Sequence, residues 1–180
     1  NNADTPKGIA ECATVAEKFT VLFQIMMGKL NCLTPSHEPR VTECIDEIIG
    51  FTQGLIDTKH AYVVDGDVYF DIATFPSYGK LSGRTISDML AGARVDVDER
   101  KRNPGDFALW KGDKKARFWK SPWGYGRPGW HIECSVMAKQ QCGVTLDLHA
   151  GGMDLIFPHH ENEIAQSEAL HNKPFANHWM

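Results

Sequence analysis

No run of about 18 apolar residues occurs in this chain of 180, so no membrane-spanning helix is expected. The opening stretch NNADTPKGIAEC has neither a basic start nor an apolar segment after it, and no signal peptide is expected either. The five cysteines (Cys12, Cys32, Cys44, Cys134, Cys142) are odd in number and show no Cys-x-x-Cys spacing. That pattern argues for free or metal-bound thiols in a reducing compartment, the cytoplasm or else an organelle, and against a disulfide framework. An excess of positive charge is missing too: 23 acidic against 19 basic residues give a formal charge of −4. A surface built to coat nucleic acid is thereby disfavoured, while a local RNA contact stays open. An initiating Met is absent and NHWM carries no helix stop or polar tail, so the chain is expected to be an internal piece of a longer protein.

What is present reads as an ordinary globular protein, with 42% hydrophobic and 23% charged residues and enough length for a full core. From Glu11 to Leu30, Val15, Phe19, Leu22 and Met26 recur at helical spacing, with Phe23, Met27 and Leu30 widening the stripe. Such a stripe predicts a helix packed through that face, and the same periodicity reads Cys12 and Cys44 as packing positions. After two prolines, a second helix is expected from Val41 to about Lys59, buried through Ile45, Ile48, Ile49, Leu55 and Ile56. Tyr62–Val64 and Val68–Ile72 flank Asp65-Gly66, a turn signal for a β-hairpin. The charge-rich stretch from Phe75 to Phe118 reads as a solvated loop or small subdomain. HIECSVMAKQ then fits a helix, GVTLDLHAGG a short strand ending in a glycine turn, and FPHHENEIAQSEAL another helix. Strand, glycine turn and helix in that order suit an open α/β sheet, whose ligands sit at the carboxyl ends of its strands.

In the last of these helices His159 and Glu163 are four residues apart and share a face, with Pro158 at the helix start. The pair reads either as a solvated face or as half of a metal site. A His-Glu-x-x-His protease motif is excluded, because Ile164 stands where the second histidine would be. Cys134 offers a thiolate that one crossover could bring alongside. Sulfur, nitrogen and oxygen ligands together favour zinc over magnesium or calcium, and three protein ligands leave a position for substrate.

GRPGWHIECSVM, followed by LDLHAGGMDLIFPHHENEIAQSEA, resembles the zinc-binding core of the cysteinyl-tRNA synthetases, which are class I aminoacyl-tRNA synthetases. The likeness extends back through NPGDFALWK, AGARVDV, GDVYFDI and EPRVTE. It implies a Rossmann-like α/β catalytic domain, present in part, with an inserted α+β connective region. Residues 1–40 would be the helical part of the first half of the nucleotide-binding fold. Residues 41–118 would be the insertion, and 119–180 the second half with the zinc site.

The resemblance implies a ligand set of Cys134, His159 and Glu163 for one zinc, with a further family cysteine upstream of this chain. It implies that Trp130 closes over the bound amino acid and that His131 and His149 line the pocket. Gly151, Gly152 and Asp154 match the turn that receives the adenosine of ATP. The implied activity joins cysteine to ATP (with Mg2+) as cysteinyl-adenylate and passes the acyl group to the tRNA for cysteine. Zinc would bind the substrate thiol. The His-Ile-Gly-His and Lys-Met-Ser-Lys-Ser motifs that handle the phosphates in this family do not occur in the 180 residues, so no catalytic residue is assigned and the isolated segment is expected to be inactive. A mycothiol-type cysteine ligase and a non-catalytic zinc-binding paralogue are the alternatives.

Overall fold

The computed structural model describes residues 6–84, 98–115 and 118–180. The AGARVDV segment falls outside the described residues. Among the described residues there are four α-helices: α1 (Pro6–Lys29), α2 (Ile45–Asp57), α3 (Trp130–Cys142) and α4 (Glu161–His171). Strands β1 (Ala61–Val64), β2 (Asp67–Phe70), β3 (Phe107–Gly112), β4 (Trp119–Ser121) and β5 (Gly124–Pro128) form an antiparallel sheet in the order β1-β2-β3-β5-β4. A second sheet pairs β6 (Leu146–His149) with β7 (Ala176–Trp179) in parallel, α4 lying between them in sequence. Among the described residues, no helix is long and apolar enough to cross a membrane.

The hairpin forms where the turn chemistry predicts it. Asp65 and Gly66 both take positive φ (53° and 94°), the combination a type I′ turn requires. Ile72 leaves the strand and opens a short 3-10 turn, Ile72–Thr74, capped by Asp71. The second helix starts later than its periodicity suggests. Val41–Glu43 form a 3-10 turn and the α-helix begins at Ile45. Phe51 joins Ile45, Ile48 and Leu55 on the buried side, while Ile49 and Ile56 are only partly covered.

The stretch from Phe75 to Phe118 is not merely a solvated loop. Phe107–Gly112 is the central strand of the sheet, with Leu109 and Trp110 at 0% exposure. Both faces of this strand are covered, so it shows no polar alternation to read. Asp106, buried at its start, accepts hydrogen bonds from the Tyr62 hydroxyl (2.6 Å) and the amides of Ile72 (3.1 Å) and Asn103 (3.0 Å), which ties β3 to the hairpin. The mixed charges nearby satisfy one another: Arg100 pairs with Asp67 (2.9 Å) and Asp98 (2.8 Å). The sheet continues past residue 118 through β4 and β5, and Pro128 leads directly into α3.

The apolar stripe of α1 departs from expectation. Val15, Phe19, Leu22 and Met26 are 43–61% exposed, and Cys12 is exposed rather than packed; Cys44 is buried in the core. Residues 38–40 fold back along one side of α1 through Gln24–Glu38 (2.6 Å) and Arg40–Glu17 (2.5 Å). Phe23 and Leu30 are exposed as well. Periodicity identifies the face that prefers burial without supplying a surface to cover it.

Two histidines away from the metal-ligand candidates make stability pH-dependent. Burial, partly offset by Asp71, lowers the pKa of His60; burial, with Lys139 and Lys173, lowers that of His171, whose ring meets Phe51 edge-on. Their folded pKa values lie below the unfolded value, so the native state binds fewer protons. The stability these two histidines contribute is therefore full above about pH 6.5 and falls as pH drops through and below it. The melting temperature should decline between about pH 7.5 and 5.5, and less steeply in a His60→Gln, His171→Gln double variant. Parallel curves for the two proteins would refute this.

Candidate metal centre

Gly129 delivers the chain from β5 into α3. Its amide donates to Leu109 O (2.8 Å), and a Cβ there would collide with Ala108 O, so the start of α3 lies hard against β3. Trp130 and Cys134 are one turn apart on α3, and α3 packs on α4. On α4 and the irregular turn before it, His159 and Glu163 face the same way, with Nε2 of one 3.6 Å from Oε1 of the other. The sulfur of Cys134, a ring nitrogen of His159 and a carboxylate oxygen of Glu163 lie within 4.8 Å of one another. His159 and Glu163 are buried and Cys134 is half-buried. Borderline-soft zinc suits such a donor set, with ligand distances of roughly 2.0–2.3 Å.

Histidines surround these three. His131 Nδ1 lies 2.8 Å from His159 Nδ1, so one ring donates and the other accepts. At the carboxyl end of β6, His149 Nε2 contacts Glu163 Oε2 at 2.8 Å while its ring stacks on Trp179 at 4.7 Å. Trp130 is 57% exposed, its ring centred 4.4 Å from His159, and it forms the outer wall of the cluster. All five residues proposed for metal and pocket thus converge with Trp130 at one place.

Sequence reasoning missed His160. It is buried, and with His149 and Glu163 it makes a second group of three potential ligands sharing Glu163. The signal was available, since residues 160 and 163 are also helix neighbours. The second group has no sulfur; two histidines and a glutamate can also hold zinc, but without a thiolate and only by taking Glu163 from the first group.

Gly151, Gly152 and Asp154 lie together on the exposed turn after β6. The Gly151 amide donates to Met180 O (3.0 Å), extending the pairing of β6 with β7. A Cβ on Gly151 would sit 2.7 Å from His160 Nε2, so close approach there is to an imidazole. Gly151→Ala should displace that ring and cost about 1–3 kcal/mol by overpacking. An unchanged melting temperature together with unchanged His160 ring resonances would refute this.

Burial and neighbouring charge shift the protonation of these groups. Burial, then Glu163 and Glu133, push the Cys134 thiol up to about 12, so it holds its proton at neutral pH. Burial, then His159 and Lys111, push His131 down to about 4, and burial also lowers His159 and His160. Burial opposes protonation of His149 as well, but the hydrogen bond and charge of Glu163 outweigh it and its pKa is raised. Most of the nitrogens are therefore neutral and able to bind metal.

Over residues 4–180 the sequence matches the family model described as tRNA synthetases class I (C) catalytic domain. The chain belongs to that family. Its mixed helices and sheets are a Rossmann-like α/β part of a class I synthetase catalytic domain. It is 58% identical over 168 residues to the cysteine–tRNA ligase of Trichlorobacter lovleyi, covering 93% of this chain and 34% of that protein. Against the cysteine–tRNA ligase of Geotalea daltonii the identity is 58% over 167 residues, covering 92% and 34%. Against that of a Geobacillus species it is 56% over 168 residues, covering 93% and 36%. This class I synthetase chain spans about a third of the length of the curated relatives it matches.

Proposed function

We propose that this chain is the cysteine-selecting part of a cysteine–tRNA ligase, acting with ATP and Mg2+ on cysteine and the tRNA for cysteine. The observation that carries the reading is the meeting of Cys134, His159 and Glu163 on two packed helices, walled by Trp130 and flanked by His131 and His149. The donor set fits zinc. Zinc held there supplies a soft Lewis acid that stabilises a substrate thiol as thiolate and takes a hydroxyl poorly.

The residues of the chain do the rest. Trp130, more than half exposed beside His159, is placed to cover a small amino acid and exclude water from it. His149 holds one oxygen of Glu163, leaving the other turned toward His159. His131, kept neutral by burial, fixes the ring of His159 through their 2.8 Å contact. Gly151, Gly152 and Asp154 form an exposed turn at the carboxyl end of β6, where an α/β sheet receives a nucleotide. In the reaction, the cysteine carboxylate attacks the α-phosphate of ATP and pyrophosphate leaves. A ribose hydroxyl of the tRNA's terminal adenosine then takes the acyl group and AMP leaves. Residues 1–40, 41–118 and 119–180 serve in this reading as first-half helix, connective insertion and zinc-bearing second half.

Cysteine-dependent exchange of pyrophosphate into ATP tests the proposal. The 180 residues alone should show none, because neither phosphate-handling motif occurs in them and removing such electrostatic stabilisation costs orders of magnitude in rate. A protein that joins them to both motifs should show it, and lose it on Cys134→Ala. Exchange that survives Cys134→Ala, or that the 180 residues support unaided, would overturn the reading.

A further inference from the structure

Glu161 lies between His159 and Glu163 and has no part in the donor set. Two residues along a helix turn it about 200° away from their shared face. It is nevertheless 0% exposed. Among the described residues no cation pairs with it. Its carboxylate accepts three backbone hydrogen bonds from one short turn: Oε2 from the amide of Gly79 (3.1 Å), and Oε1 from those of Leu81 (2.8 Å) and Ser82 (2.6 Å). Burying a carboxylate is costly unless hydrogen bonds satisfy it, and the first turn of a helix favours negative charge. The arrangement meets both conditions.

Other ties join the same two segments. Asn162, also buried, accepts a hydrogen bond from the Tyr78 hydroxyl, and Lys80 pairs with Glu168 at 2.5 Å. The turn is itself anchored. Tyr78 packs against the main core, and Leu81 against the cluster of Leu146, Ile164 and Phe175. The start of α4 has no side-chain cap of its own. The contacts of residues 161 and 162 with residues 78–82 hold this start of the helix, beside its packing on α2 and α3.

We propose that Glu161 is a positioning residue: gripped by the amides of residues 79–82, it sets the register of α4 so that His159 and Glu163 meet Cys134. The consequence for metal rests on the functional reading above, whereas the geometric part stands without it. Groups that orient metal ligands from behind typically contribute about 10- to 100-fold in affinity.

The test compares Glu161→Gln, which keeps the shape but removes the charge and one acceptor, with Glu161→Asp, which keeps the charge on a shorter arm. Val68→Ala, a core change in β2, controls for general loosening. Two quantities are read: the affinity for cobalt with its thiolate-to-metal band, and the ring 15N shifts of His159 and His131 in metal-free protein. Glu161→Gln should weaken cobalt binding about 10- to 100-fold and move the His159 shifts. Glu161→Asp should recover part of both, and Val68→Ala should alter neither. Wild-type affinity and shifts in Glu161→Gln would overturn the proposal, as would the same changes in Val68→Ala. If the unsubstituted protein shows no cobalt band that depends on Cys134, the metal reading fails, and the His159 shifts alone still decide the positioning role.

Discussion

Replacing Cys134, His159 or Glu163 with alanine should take bound zinc from about one ion per chain to nearly none. The three donors come from two helices and lie within 4.8 Å of one another, so losing any one leaves two ligands where zinc prefers four contacts. Binding at a well-formed zinc site is worth on the order of 10 kcal/mol, so removing a third of the protein ligands is a large effect. The variants should differ in detail. Glu163→Ala also frees His149 from its 2.8 Å partner and should disturb the pocket most. Cys12→Ala, on the exposed face of α1, should change neither zinc content nor stability. Cys44→Ala should keep the zinc while lowering the melting temperature, because that thiol is buried in the core. Metal analysis of the purified variants measures this directly. Equal zinc in the wild type and the three alanine variants would remove the site from consideration.

The second large effect is discrimination between thiol and hydroxyl. With cobalt in place of zinc, each added thiolate strengthens the charge-transfer band. The band due to Cys134 should grow on titration with cysteine and stay flat with serine or alanine. A pocket that measures size alone separates such near-isosteric side chains by only about 10- to 200-fold. A metal that measures softness can separate them further, since it takes sulfur as thiolate and leaves the hydroxyl protonated. His149→Ala should weaken the cysteine response more than it weakens cobalt retention, because His149 touches Glu163 and is absent from the Cys134 group. A spectrum that answers serine as strongly as cysteine would make the cluster a structural metal site.

The sequence by itself determined what depends on short spacing. A helix places residues four apart on one face, so His159 and Glu163 were legible as a pair, and Asp65-Gly66 between two β-rich runs was legible as a hairpin turn. The motif running from GRPGWHIECSVM to PHHENEIAQSEA, long and specific, was enough to indicate the family. Tertiary structure decided what no local period encodes. Phe107–Gly112 is a central strand because β2 and β5 flank it, and a strand covered on both faces carries no alternation. The exposed stripe of α1 shows the converse, for a period reveals the face that seeks burial without supplying the surface that covers it. His149 reaches Glu163 across 14 residues, His131 reaches His159 across 28, and Gly79 reaches Glu161 across 82. The first two separations are closed by the packing of α3 on α4 and by the parallel pairing of β6 with β7, the third by the turn of residues 79–82 meeting the start of α4. The residue types that could bind a metal are therefore written along the chain, while their convergence on one point depends on helix and strand contacts between segments far apart in it.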